Sequence, residues 1–453
     1  MEINGSFTKK NIEVFRYDVK LENINKNICI NLDSEVFEHF FLLVKDPSKK
    51  LRALLTYKTR VKKYYISKIL ENTSNGTIYG ELPSGIWEFI IIKPYDITGN
   101  FNFEIKIDEV EEKSGYDLEL LKQDFDKKYS DEKRWYKGDL HVHSTYSDGR
   151  QDFESIYNVA KNKKFDFLFL TDHTIIPTLF YKSDMCIVQS TEITFDNEGH
   201  INVFGIKNII DYSTFFKEVP FEDKNKIINE ILEFQRKEGS IISINHPFHP
   251  ETPFHHDIDL ENVSLIEIMN SPYYYEDIDY NGEAVKFLDF LWLMGYKIYG
   301  VGGSDSHKPL KDGVETVGIP MTFIYSHGLS PNELLNAMKK GNIYVSKNHN
   351  INLEIFGENR EVLPGEEVKG MIKYKVECDE ILKWNLVKNG KIIETKIGKK
   401  EEFNFDILEE EFYRVEGCEL EESRVVVYIN PIYNGIKFNK RNTWKKIISK
   451  YFS

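Results

Sequence analysis

The sequence predicts an α/β protein of three successive units, a centre of alternating strands and helices flanked by two β-sandwiches. Three observations carry that expectation. Residues 1–108 hold short alternating apolar runs separated by turn residues, residues 135–347 alternate strand-like with helix-length segments, and residues 348–453 return to short strands. A length of 453 residues agrees, at roughly 150 residues per domain.

In the first unit, Ile28–Leu32, Phe40–Val44, Thr77–Leu82, Ile86–Ile92 and Phe101–Ile107 are strand candidates, broken by Asn, Gly, Pro and Ser. Trp87 and Phe101 fall where core residues fall, and the unit is assigned no ligand. Residues 109–134 are densely charged and lose the strand pattern, which marks a linker or exposed helix. The central unit offers strands at Asp139–His143, Phe165–Thr171, Cys186–Glu192, Ile201–Phe204, Ser240–Asn245, Leu265–Met269, Ile298–Gly302 and Thr322–Tyr325. Amphipathic helices are expected at Asp152–Asn162, Phe221–Lys237, Gly282–Met294 and Pro331–Lys340. Such alternation points to a parallel sheet or barrel. The last unit offers Asn352–Phe356, Ile372–Val376, Trp384–Lys388, Phe403–Phe405 and Val425–Tyr428, then a terminal helix over Trp444–Phe452.

Composition narrows the function. With 41% apolar and 14% aromatic residues, packed cores are expected and wholesale disorder is excluded. Four scattered cysteines without a CxxC pair fit a reducing compartment. The net charge of −14 argues against a duplex nucleic acid partner. Apolar stretches are too short to span a bilayer, so no membrane partner and a soluble, cytoplasmic protein are expected.

Nine of the 12 histidines lie between residues 141 and 307, and six of them, with three carboxylates, fall nearly all at the ends of apolar runs. His141 and His143 project to one side of a strand and can grip one ion together, with Asp148 following in a Ser-Asp-Gly turn. Thr171-Asp172-His173, Ser190-Thr191-Glu192, His200, Asn245-His246-Pro247 and Ser304-Asp305-Ser306-His307 repeat the pattern. Six imidazoles and three carboxylates exceed the needs of one ion. Two or three divalent ions (Zn, Mn or Fe) are the expected cofactors.

The motif set HVHSTYSDG, TDH, TEI, GH, NHP and GGSDSH resembles the polymerase and histidinol phosphatase (PHP) superfamily over residues 136–347. The resemblance implies a distorted (β/α)7 barrel with a trinuclear metal site at the C-terminal strand ends. It places one ion on His141, His143, Glu192 and Asp305. Glu192 would bridge to a second on His200 and His246, and a third would sit on Asp148, His173 and His307. His249 competes with His246, which is preferred because Asn-His-Pro directly closes the apolar strand. The flanking β-units, with Tyr413–Glu416 and Ile429–Tyr433, look like the carbaryl-hydrolase-type subgroup.

Arg150 and Lys308 directly follow ligand motifs and are expected at the mouth, holding a phosphate oxygen. His249 is the candidate general acid on a Pro-rich loop, Asp172 the candidate orienter of a ligating imidazole, and Pro272–Tyr275 a candidate pocket wall. The resulting expectation is a hydrolase of small-molecule phosphate esters, with Glu192 and Asp305 at the centre of its chemistry. Carbamate or carboxyl ester hydrolysis at the same metals is the alternative, and a metal-stabilised binding module the third class. Oligomeric state stays open.

Overall fold

A computed structural model of the chain describes all residues except 8–10, 23, 35–39, 57–58, 95–97, 109–122, 180–182, 196–197, 218, 221–222, 271–277, 309, 312–313 and 439–440. Most of the expected linker and the whole of Pro272–Tyr275 therefore lie outside the described residues. The architecture is mixed α/β, with large sheets and few helices.

The first unit holds two antiparallel sheets. One orders Glu2–Phe7, Gly99–Asp108, Asn27–Ser34 and Lys63–Ile66; the other orders Val219–Pro220, Asn11–Leu21, Gly85–Lys93, Phe41–Lys45 and Leu51–Thr56. Every second side chain of these strands points one way, so Ile28, Ile30, Leu42, Val44, Phe89 and Ile91 meet in one core. Trp87 and Phe101 are buried in it. Residues 77–82, expected as a strand, make only a bridge from Thr77 to Ala53. Arg52 explains why: its guanidinium takes the carbonyls of Ile78, Gly80 and Glu81, which a ladder would otherwise use.

In the centre, Arg134–Val142, Phe167–Leu170 and Cys186–Ile193 run parallel, as do Ile241–Ile244, Leu265–Asn270 and Tyr299–Gly303. Their near-continuous apolar runs suit strands buried on both faces. Ile201–Phe204 joins the two sets antiparallel to both neighbours. The pure parallel alternation expected here thus fails at two strands, at Met321–Ser326, which is antiparallel to Arg134–Val142, and at Ile201–Phe204, where the reason is physical. Only residues 194–200 connect it to Cys186–Ile193, too few for a crossover helix but enough for a hairpin. The sheet curls back until the residues after Tyr299–Gly303 reach the end of Arg134–Val142, with Asp305 N donating to His141 O (2.7 Å) and His143 N to Ser306 O (3.1 Å).

Helices Phe153–Asn162, Lys224–Glu238, Tyr280–Leu293 and Pro331–Lys340 start and stop close to expectation. Asp152 caps the first by accepting from Ser155 N, and Ser330 with Pro331 starts the last. Gly239 and Gly341 close two helices in the left-handed region, which glycine adopts without a Cβ penalty.

The expected boundary at residues 347/348 falls inside a continuous sheet. Met321–Ser326 pairs with Arg134–Val142 and with Ile343–Ser346, which pairs in turn with Val425–Ile429. From there Glu411–Cys418, Gly370–Lys388, Lys391–Ile407 and Ile351–Phe356 extend it. Leu168, Phe323 and Trp384 accordingly share a core. The terminal helix Trp444–Tyr451 returns to the centre, where Trp444 Nε1 donates to Phe254 O. Among the described residues no helix is long and apolar enough to cross a membrane, and the four buried cysteines form no disulfide.

Candidate metal centre

The histidines and carboxylates singled out from the sequence come to one end of the curled sheet. His141, His143, His173, Glu192, His246, Asp305 and His307 lie on or just beyond the C-terminal ends of parallel strands. His200 precedes its strand, and because that strand is antiparallel its start lies at the same end. Asp305 (φ +51°) and His246 (φ +27°) occupy the left-handed region, rare for such residues and a recurrent mark of functional sites.

His141, His143 and Asp305 form one group that could hold an ion, and Glu192 stands beside it. His141 Nε2 lies 3.1 Å from His143 Nε2, 3.2 Å from Glu192 Oε1 and 3.3 Å from Asp305 Oδ1. His143 Nε2 lies 3.0 Å from Asp305 Oδ1 and 3.3 Å from Glu192 Oε2. Ligands about 2.0–2.1 Å from a tetrahedral ion stand about 3.3 Å apart, so these spacings suit one. Glu192 Oε2 is buried and accepts no hydrogen bond of good geometry, although His173 Nδ1 is 3.0 Å away.

A second group gathers on Asp148 Oδ1, with His307 Nε2 at 3.1 Å, His173 Nε2 at 3.5 Å and His143 Nδ1 at 3.9 Å. A third comprises His173, Glu192 and His200, with His200 Nδ1 3.2 Å from Glu192 Oε1. His246 stands further back, its Nε2 3.7 Å from Glu192 Oε1 and 3.9 Å from Asp305 Oδ2, outside all three groups.

The outward nitrogens are tied. His141 Nδ1 donates to Glu267 Oε1 (3.0 Å) and His307 Nδ1 to Asp305 O (2.8 Å). His143 Nδ1 meets Ser147 Oγ at 3.4 Å, and His173 Nδ1 meets Thr194 Oγ1 at 2.7 Å. His141 and His307 then present Nε2 inward, the arrangement that orients metal-ligating imidazoles, whereas His173 Nδ1 also faces Glu192 Oε2 at 3.0 Å and His143 Nδ1 faces Asp148 Oδ1 at 3.9 Å.

Sequence reasoning missed several of these supports. Glu267 also accepts from His246 N (3.1 Å) and Asn270 Nδ2 (2.9 Å), and Asn245 Nδ2 donates to Glu192 Oε1 (2.6 Å). A lone carboxylate inside the apolar run Leu265–Asn270 was the available signal for Glu267. Asp172 does not touch a ligating imidazole directly. It accepts from Ser144 N (2.7 Å), Ser144 Oγ (2.6 Å) and Ser147 Oγ (2.6 Å), reaching His143 only through Ser147. Glu267→Gln should lower metal affinity about 10–100-fold while the fold persists, the usual scale for such orienting partners. Chelator competition and a thermal melt check this together.

Charge follows the same geometry. Burial alone would raise the Glu192 and Asp305 carboxyls, but the surrounding imidazoles outweigh it and hold both well below the ordinary range. Asp148 is lowered likewise, its histidines overcoming burial. Burial opposes protonation of His307, yet Asp148 and Asp305 lift it to about 9, whereas burial holds His200 down to about 4. Three ionised carboxylates demand positive charge. Divalent ions would supply it with the imidazoles as neutral ligands.

His141, His143 and Glu192 side chains are 0% exposed, against 21% for Asp148 and 35% for His307, so the cluster opens on the latter side. Arg150 is there: its N–H donates to His307 O (2.7 Å), and its exposed side chain makes no ion pair among the described residues. Lys308, half-buried, follows His307. His249 stands on the other flank, its ring 5.6 Å from that of His246 and 5.1 Å from Tyr280. Its Nδ1 accepts from Glu251 N (3.3 Å), and burial, then His246, push its pKa down to about 4.

No protein-family model and no curated protein matches the chain. Solved structures that resemble it include a two-domain protein from Bacteroides vulgatus containing a predicted PHP-like metal-dependent phosphoesterase. That protein is 16% identical, covers 71% of this chain and 100% of its own, and has a TM-score of 0.38. A candidate metal-dependent phosphoesterase from Bifidobacterium adolescentis is 12% identical over 44% of this chain and 95% of its own, with a TM-score of 0.26. Likenesses at these TM-scores carry no functional weight.

Proposed function

We propose that the protein is a metal-dependent hydrolase of the PHP type, acting on small-molecule phosphate esters at a site for two or three divalent ions. The observation that carries this reading is the grouping of His141, His143 and Asp305 at 3.0–3.3 Å spacings, with Glu192 Oε1 3.2 Å from His141 Nε2 and Glu192 Oε2 3.3 Å from His143 Nε2. Glu192 also faces His173 and His200, which suits a carboxylate shared between neighbouring ions. In this reading His246 completes the position of His200, and Asp148, His173 and His307 hold the outer ion. The centre is a distorted (β/α)7 barrel, and β-sandwiches flank it.

Bound ions at such a site lower the pKa of water and neutralise phosphoryl oxygens. The chain's own groups do the rest. Arg150 and Lys308 pair with the non-transferred phosphate oxygens at the open side. His249, with Nδ1 occupied as an acceptor, donates Nε2–H toward the leaving oxygen as a hydrogen bond. Cations at the mouth favour phosphate over a carbamate or carboxyl ester, the second reading.

Elemental analysis joined to a panel of nitrophenyl phosphates and naphthyl carbamates tests the proposal. Phosphate ester turnover that is lost on chelation and regained with Mn²⁺ is expected. Turnover of carbamates alone would transfer the reading to carbonyl substrates, and inertness toward both would remove it. Chelation should also lower Tm, since ions at 100 times their Kd contribute about 2.7 kcal/mol. A calorimetric scan with and without EDTA reads this directly.

A further inference from the structure

Two of the outer group's ligands differ from the rest in what holds them. His141, Glu192 and His143 stand on strands or directly at their ends. Asp148 and His173 stand on two loops, and both loops are bonded to the N-terminal β-unit. On the first, Arg60 N donates to Thr145 O and Ser147 O (both 3.2 Å), Thr59 Oγ1 donates to Thr145 O (3.1 Å), and Arg60 Nε donates to Gly149 O (3.1 Å) and Asp148 O (3.4 Å). Tyr64 OH in turn donates to Thr59 Oγ1 (3.1 Å), tying this grip to a strand of the β-unit.

On the second loop, Asn75 Oδ1 accepts from Thr178 N (2.7 Å) and Leu179 N (3.2 Å), while Gly76 N donates to Thr178 Oγ1 (3.0 Å). Asn75 also bonds Tyr146, so one residue touches both loops. Arg60 makes no ion pair among the described residues, in a chain with 73 acidic side chains; it donates instead to the Thr145, Ser147, Asp148 and Gly149 carbonyls of the ligand-bearing turn. The turn is tight, since a Cβ at Gly149 would sit 2.4 Å from His143 O.

We infer that the N-terminal β-unit is a clamp for the outermost ion: Thr59, Arg60 and Asn75 fix the Asp148 and His173 loops and so set that position's affinity for a divalent cation. This rests on the metal-centre reading above. The inner group, His141, His143, Glu192 and Asp305, makes none of these bonds. These three are positioning residues. They touch main chain, and they act through Asp148 and His173.

The experiment is a Mn²⁺ titration of the full chain after dialysis against chelator, with bound metal counted by elemental analysis. Wild type, Arg60→Ala, Arg60→Lys and Asn75→Ala are compared. In the two alanine variants the weakest-bound ion should lose affinity about 10–100-fold, the scale on which orienting partners act, while the remaining ions bind as in wild type. Arg60→Lys, which keeps a donor near the two carbonyls, should recover part of the loss. Arg60 is exposed, so its truncation removes no packing, and an unchanged Tm for the chelated protein verifies the fold. Wild-type affinity for every ion in Arg60→Ala and Asn75→Ala overturns the clamp. So does uniform weakening of all ions, which marks a merely structural contact. A wild-type protein that takes up no Mn²⁺ overturns the metal reading itself, a different result.

Discussion

Glu192→Gln should lower the metal content by at least one ion and reduce kcat about 10²–10³-fold, the scale on which one electrostatic contact at a reacting centre acts. The side chain is fully buried at the end of Cys186–Ile193, with imidazoles from His141, His143, His173 and His200 within 3.0–3.3 Å of its two oxygens. Glutamine keeps the volume but removes the charge and leaves a single good oxygen. Cations held about 3.5–4 Å apart then repel with less compensation. The amide must also place its NH2 beside a nitrogen ligand or beside Asn245 Nδ2, and neither accepts well. Arg150→Ala, by contrast, should chiefly raise KM, about 10–100-fold for loss of a charged hydrogen bond of roughly 1.5–3 kcal/mol. Steady-state kinetics and elemental analysis of the two variants separate these effects. Wild-type metal content and activity in Glu192→Gln would remove it from the shared position.

Gly303→Ala should abolish the inner group by steric means. A Cβ there would meet His141 Cβ at 2.3 Å, and His141 N and Glu267 Oε1 at 2.9 Å. Two of those atoms belong to the strand and the base of a ligand, so neither can swing away as a flexible side-chain tip can. Overpacking of a buried site costs about 1–3 kcal/mol, and here the displaced atoms are those that aim His141. Loss of metal with a lowered Tm is expected. Gly357→Ala supplies the control, because its nearest neighbour would be 3.4 Å away, an ordinary contact. Equal melting points for the two variants would refute the close-approach account.

Both effects concern residues that differ in how visible they are in sequence. Ligand candidates such as His141, His143, Asp305 and His307 were legible because apolar runs ending in His or Asp repeat along the chain, and strand periodicity puts i and i+2 on one side. The antiparallel run of Ile201–Phe204 was not, since four apolar residues look the same in either direction. The orienting roles of Glu267 and Asn245 depend on partners far off in sequence, as Glu267 lies 126 residues from His141. The grip of Arg60 and Asn75 on the central loops is likewise a product of docking. Local patterning carries no trace of it.

The short pairing of Val219–Pro220 with Asn11–Ile12, and the bridge from Asp259 to Thr443, bring both ends of the described chain onto its middle. In kinetic terms these are contacts of very long loop, whose closure entropy must be met before they yield anything. During synthesis, the central strands can pair while residues 443–447 are still inside the ribosome, and Trp444 can seat beside Phe254 only afterwards. Docking of the helix Trp444–Tyr451 beside the loop that carries His249 therefore follows the pairing of the central strands. Its detachment is the first opening to expect when the native protein fluctuates, and amide exchange would find it ahead of the metal-bearing strands.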